Sequence, residues 1–305
     1  MGLENPTPKK LTIGAQRVSS LKIEDQREIR KKQSETEVKK PKKPERISAR
    51  ERQEQEQNLQ FGEITSIEEL EGSSSKVFVI ELENGDKAIA KIVNLDDEKY
   101  AAHKTELHAA QTERAAYLVS MILGFNFVPT TVIREKLDHE GTNKELQQID
   151  DELGEDDRII VQKFAKGKTA AQQSGIPVEL LTDVAVFDYV ISNVDRNTDN
   201  YLYSKNQITA IDNELSFGED GFKLIIDDLR SAAATTIKIS ENLNSIIQDY
   251  DKNRNSRETE IYMELESLMP KEYIDAAISR LEQITDLILK HGHVPAEKVG
   301  DLTFK

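Results

Sequence analysis

Asp195, Asn200 and Asp212 are the residues whose types and spacing could do chemistry together. Asp195 and Asn200 stand five apart in the run Asn193-Val194-Asp195-Arg196-Asn197-Thr198-Asp199-Asn200. Asp212 follows the apolar-leaning run Ile208-Thr209-Ala210-Ile211. Phosphoryl transfer asks little more of a protein than a carboxylate to orient the attacking hydroxyl and hard oxygen ligands for magnesium beside the phosphates. Asp195 could be the first, and Asn200 and Asp212 the second. The same residue types also form ordinary turns, because Asp and Asn bond their own backbone. A calcium loop is the sharper rival, since Asp195, Asn197, Asp199 and Tyr201 alternate. Such a loop wants Gly at its sixth position and Glu at its twelfth. Here those are Asn200 and Asn206, which disfavours calcium.

A second set lies upstream. In Ala88-Ile89-Ala90-Lys91 strand alternation puts Ile89 and Lys91 on one face, an apolar cover for a ring and a cation for phosphates. A Lys that merely snorkels from a strand end would look the same. Glu113, in a helical segment further on, could hold Lys91 by an ion pair; Glu106, seven residues earlier on nearly the same face, competes with it. Gly72-Ser73-Ser74-Ser75 could lay backbone N–H groups and hydroxyls over phosphates, or be a polar turn.

The elements that must position these residues can be read in order. Residues 76–82 and 87–93 are apolar-rich runs around Glu83-Asn84-Gly85-Asp86, and Asn-Gly predicts a type I′ hairpin turn. A helix is expected over 98–123, closed by Gly124, then a strand over 130–134. Residues 138–157 carry nine Asp and Glu against one Lys and read as a flexible loop leading to a strand at 158–164. From Pro177 a helix apolar almost all round should be buried, with short strands at 201–203 and 207–211 bracketing the next loop. Three or four helices are expected over 227–292. Residues 1–60 have little to bury and a local charge of +5, against −20 for the rest. They read as a disordered arm with a short helix near 47–59.

The order is small-residue loop, hairpin Lys, helix Glu, strand, buried helix, D-x-x-x-x-N loop, strand pair, Asp. This resembles the atypical branch of the protein-kinase-like fold, with likeness to phosphatidylinositol 3- and 4-kinase catalytic domains and bacterial HipA-type kinases. The resemblance covers about residues 62–290. Those families carry D-R-H-x-x-N where this chain has Asp195 to Asn200, followed by a strand and a metal-binding Asp, matched by Asp212. Glu113-Arg114-Ala115-Ala116-Tyr117 ahead of Val128-Pro129 is similar too. The resemblance implies an α+β, two-lobed fold: a β-rich first lobe with one long helix over 61–165 and a mainly helical second lobe over 166–305. It also implies ATP and Mg²⁺, with Lys91 on the α/β-phosphates, Glu113 orienting it, Asp195 as base or orienter, and Asn200 and Asp212 on the metal. Val161, Gln162, Lys163 and Phe164 would form the hinge against adenine. Asn197 stands where the family has His, and Asn213-Glu214 where a Gly is common. A nucleotide-binding pseudokinase, or an adenylylating enzyme with the nucleotide reversed, stays open.

Composition narrows the setting. The absence of Cys excludes disulfides, thiolate metal sites and Cys nucleophiles, and leans towards a reducing compartment. No apolar h-region opens the chain and no run reaches a membrane span, so a cytoplasmic protein is expected. The net charge of −15 disfavours nucleic acid as a partner of the folded part. The basic run 39–46 could touch an acidic partner or nucleic acid, or simply be a solvated linker. The acidic surface also repels anionic headgroups, so a protein Ser or Thr is the expected acceptor rather than a lipid.

Overall fold

The computed structural model describes residues 48–70, 76–94, 107–138, 140–173, 175–218, 236–237 and 239–295. The expected Gly72-Ser73-Ser74-Ser75 loop, the competitor Glu106 and the arm before residue 48 lie outside them. The architecture is α+β, a lobe built on an antiparallel sheet followed by a helical lobe.

The sheet contains β1 (Ile64–Glu69), β2 (Val77–Leu82), β3 (Lys87–Asn94), β4 (Thr131–Arg134) and β5 (Asp157–Lys163), in the order β1-β2-β3-β5-β4. Period-two patterning gives it two faces. Phe78, Ile80, Leu82, Ala88, Ala90, Val132 and Val161 bury one face with Leu59, Leu137 and Leu146. Ile89, Lys91, Ile160 and Gln162 stand on the other and line a cleft. The β2–β3 turn is not the expected type I′. Among Glu83, Asn84 and Gly85 only Gly85 has positive φ, at 81°. Gly85 N–H donates to Leu82 O at 2.8 Å and Leu82 N–H to Asp86 O at 2.9 Å. This is the three-residue hairpin with Gly at the left-handed position.

Three helices refine the sequence reading. Helix α1 (Ala49–Phe61) is the short helix expected near 47–59; capped by Ser48, it packs on the sheet lobe instead of standing in a disordered arm. Its Glu56 meets Arg114 at 3.3 Å and Tyr117 at 3.0 Å, and Arg52 meets Glu264 at 3.4 Å. Arg134, fully buried, donates to Leu59 O (2.5 Å) and Gly62 O (2.9 Å) at the end of α1. Helix α2 (Ala109–Leu123) falls within the helix expected over 98–123, of which residues 98–106 lie outside the described residues; His108 caps it through Nδ1, which accepts from the Ala110 N–H, and Gln111 completes a capping box. Gly124 ends it in the left-handed region, as expected. Helix α3 (Lys144–Asp151) stands inside the supposedly flexible acidic insert. Asn143 caps it, Leu146 is buried, and the Asp150 carboxylate takes the N–H groups of Leu137 and Asp138. Asp150, and Asp138 ahead of the helix, hold backbone donors, while Glu145 and Asp151 stay exposed.

Helix α4 (Val178–Ile191) is buried from Thr182 onward. It packs in a core with α2, α5 (Glu241–Leu265) and α6 (Lys271–His291), where Phe125, Phe127 and Phe187 meet at ring-centroid distances of 5.1 to 5.3 Å. Within 227–292 the described residues form α5, which is broken by a kink at Asn253, and α6; residues 227–235 and 238, part of the span where three or four helices were expected, lie outside the described residues. Short strands β6 (Lys168–Thr169), β7 (Tyr201–Ser204) and β8 (Gln207–Ala210) form a second sheet; β9 (Thr236–Ile237) pairs with β10 (Val294–Pro295). Lys205 and Asn206, between β7 and β8, both have positive φ, so the type I′ geometry occurs here.

Candidate active site

A cleft of about 300 Å³ opens beside the sheet, lined by Ile89 and Lys91 of β3, Gln162 and Lys163 of β5, and Asp212 and Glu214 after β8. Ile89 and Lys91 share it because they alternate with Ala88 and Ala90, which face the core. By the same alternation the Val161 side chain is fully buried on the opposite face, so only its backbone could serve the expected hinge, and Ile160 and Gln162 take the cleft side. Phe164 and Ala165 carry the lining past the strand end. The Phe164 N–H is already given to Lys87 O at 3.0 Å.

Lys91 Nζ reaches Asp212 Oδ1 at 3.1 Å and pairs with Glu214. Burial works against its charge, but the carboxylates of Glu214 and Asp212 outweigh that and hold its pKa above the ordinary lysine value. The expected Lys91–Glu113 ion pair is not what forms. Glu113 accepts from the Asn213 backbone N–H, from Asn213 Nδ2 at 2.9 Å and from Gln162 Nε2 at 3.0 Å. Burial first, then the charges of Asp212 and Glu214, push its carboxyl up to about 7.

The loop after α4 is tied down by a buried ion pair. Arg196 meets Asp188 of α4 at 3.0 to 3.2 Å, donates to Asn200 O and Ile211 O at 2.6 Å, and also to Asn213 Oδ1. One guanidinium fork thus joins the Asp195–Asn200 loop to the Asp212 segment. The Ile211 N–H completes the link at 3.0 Å to Asn200 O. Asn200 Nδ2 donates to Asp195 O at 2.7 Å and Oδ2 at 3.3 Å, which orients the Asp195 carboxylate. Asp212 sits at φ 57°, a left-handed conformation that Asp tolerates better than most residues.

These donors fit a magnesium site. With Asn200 Nδ2 engaged by Asp195, its Oδ1 is the remaining acceptor, and Asp212 Oδ2 is free of the Lys91 contact. Among the described residues no three His, Asp or Glu group to hold a metal unaided. Two oxygen ligands suit an ion that keeps water and phosphate in its shell.

The structure is similar to solved kinases. A Golgi casein kinase superposes with a TM-score of 0.54 at 17% identity, over 80% of this chain and 77% of that one. The same kinase with Mn and ADP bound gives the same values. The Fam20 of hydra, solved with sugar, gives 0.56 at 14%, over 80% and 89%. The chain has a protein-kinase-like fold. No family model and no curated protein matches its sequence.

In this kinase-like frame, sequence reasoning did not single out Glu214, Arg196 or the Gln162 side chain. Arg196 had a signal: Asp188 interrupts the apolar run Val184-Ala185-Val186-Phe187, and a buried acid requires a partner. Nothing in spacing marks Glu214 above any acid following a loop. Among the described residues no helix is long and apolar enough to cross a membrane.

Proposed function

We propose that the protein is an ATP- and magnesium-dependent phosphotransferase that acts on a Ser or Thr hydroxyl of a protein. One observation carries this reading: Lys91 from the sheet and Asp212 from the loop after β8 meet at 3.1 Å at the cleft, and Arg196 fastens the Asp195–Asn200 loop to that same segment. Lys91 would hold phosphate oxygens, and Ile89 would cover the base. The chain turning out of β5 at Phe164 and Ala165 would edge it. Asn200 Oδ1 and Asp212 would hold magnesium, which when bound offsets the charge of the phosphates. Asp195, oriented by Asn200, would accept the proton of the incoming hydroxyl or align it. The Mn and ADP in the similar Golgi casein kinase support a nucleotide and a divalent ion here. The motif from Asp195 to Asn200 supports a place beside the phosphatidylinositol-kinase and HipA-type branch of the fold.

The protein hydroxyl follows from charge. The acidic surface repels anionic lipid headgroups. Intact-mass analysis of the protein and candidate protein acceptors after incubation with ATP and magnesium tests the reading. A gain of phosphate supports it. A gain of AMP replaces it with adenylylation. No gain alongside tight nucleotide binding replaces it with a pseudokinase.

A further inference from the structure

If the cleft holds a nucleotide, the acid that partners Lys91 decides where its ammonium points. Two acids touch it, and they differ in how firmly they are held. The Glu214 side chain is 4% exposed, whereas that of Asp212 is 38% exposed. The Glu214 carbonyl accepts from Thr112 Oγ1 of α2 at 2.6 Å, and the next carbonyl, of Leu215, accepts from the Val194 N–H at 3.0 Å. Thr112 therefore pins the Glu214 carbonyl, and Val194 pins the residue that follows it. Asp212, more open and free at Oδ2, has an oxygen to give to a metal. A largely buried ammonium needs a counter-charge that stays when Asp212 turns to other work. Glu113 is spoken for: both its oxygens take donors from Asn213 and Gln162, and none comes from Lys91.

We propose that Glu214, not Glu113, is the acid that positions Lys91, and that Glu113 is a positioning residue for the 212–214 segment, acting through Asn213. The consequence for binding rests on the nucleotide reading of the cleft; the pairing itself does not. In the Lys-and-acid arrangement expected from sequence, the helix α2 acid reaches the strand lysine directly. Here α2 reaches the segment that carries Asp212, and that segment returns its own acid to the lysine.

Two double-mutant cycles on the full chain test this, one of Lys91→Met with Glu214→Gln and one of Lys91→Met with Glu113→Gln. Each is read by urea unfolding without nucleotide and by calorimetric affinity for magnesium-ATP. Glu214→Gln should weaken affinity about tenfold in the parent but add little to the loss already caused by Lys91→Met, since partners in contact are non-additive. Glu113→Gln should also weaken affinity, but its loss should multiply with that of Lys91→Met. Glu214→Asp should restore part of the affinity, and it carries the cycle if Glu214→Gln does not fold. In unfolding, the Lys91–Glu214 coupling should exceed the Lys91–Glu113 coupling. The reverse ranking overturns the proposal, whatever the binding shows. If the parent protein binds no magnesium-ATP while the unfolding ranking holds, the pairing is supported and the nucleotide reading is the part that fails.

Discussion

Asp195 and Asp212 carry different work in the proposed reaction, and replacement by Asn separates them. Asp212→Asn exchanges a charged magnesium ligand for a neutral one and loosens a contact to Lys91, so magnesium-ATP binding should weaken. Asp195→Asn leaves the expected metal ligands in place and should cut turnover by about 10²–10⁴-fold with binding nearly unchanged. Thermal shift with magnesium-ATP and a turnover assay on both variants read the split. Variants that bind and turn over like the parent would make these residues turn formers and end the phosphotransfer reading. Arg196 acts one step behind them. Its partner Asp188 is completely buried; burial raises the pKa of that carboxyl, and the guanidinium opposes the rise. Asp188→Leu would leave a buried, unpaired guanidinium and should cost about 3–5 kcal/mol in chemical denaturation. A cost under 1 kcal/mol would mean that the carbonyls of Asn200 and Ile211 suffice to hold Arg196.

At the scale of elements, α1 shows how a polar segment earns a place in the fold. Its composition offers one buried side chain, Leu59, and the rest of its attachment is polar. Arg134 supplies much of it by filling carbonyls at the C-terminal end of α1, where a helix has acceptors without donors. Burial lowers the Arg134 pKa to about 10, with Asp150 opposing the shift, so the residue stays charged at neutral pH. Arg134→Leu should destabilise the protein by roughly 2–4 kcal/mol, since several buried carbonyls lose their donor at once. Urea unfolding gives the number, and an unchanged midpoint would show that water replaces the guanidinium freely. This polar attachment is also why the sequence hid α1's role. Apolar patterning made β2, β3, β5 and α4 legible, because their burial is a property of their own residues. The partners of α1 and α3 lie far along the chain, in Arg134, Arg114 and the N–H groups of Leu137 and Asp138. The β2–β3 turn departs from its expected type for a local reason: three loop residues reverse the chain with one positive φ, at Gly85, whereas the two-residue β7–β8 loop takes positive φ at both Lys205 and Asn206. At the site, residue types and order singled out Lys91, Asp195, Asn200 and Asp212, and the structure adds the Lys91–Asp212 and Asn200–Asp195 contacts among them. The pairing among acids was not legible, because it depends on which backbone is pinned where.

The whole molecule carries a net charge of −15 yet buries acids without full compensation, which fixes the sign of its pH dependence. Asp183, on α4, is the clearest case. Its Oδ2 accepts from Ser240 Oγ at 2.6 Å, where Ser240 caps α5, and its Oδ1 has no partner among the described residues. Burial raises its carboxyl to about 7, the Ser240 bonds pull the other way, and the charge of Glu179 adds to the rise. A carboxyl raised in the folded state gives stability that is fully present below its ordinary value of 3.8 and is lost as pH climbs through 7. The exposed acids lowered by hydrogen bonds or ion pairs, Glu51, Asp138, Glu152 and Asp275, act oppositely but below their ordinary range, outside this window. Stability should therefore fall between pH 5 and pH 8, and the Asp183 share is at most about 4 kcal/mol, at roughly 1.4 kcal/mol per unit. Self-repulsion of a net-negative chain has the same sign, so the slope alone does not assign the cause. Asp183→Asn separates the two. It keeps an oxygen for Ser240 and changes the net charge by one, so it should leave general repulsion nearly intact. It should still raise the urea midpoint at pH 8 relative to the parent and have little effect at pH 5. A variant whose midpoint falls in parallel with the parent over the whole range would clear Asp183 and leave the pH dependence to Glu113, raised to about 7 in the same way, and to surface charge.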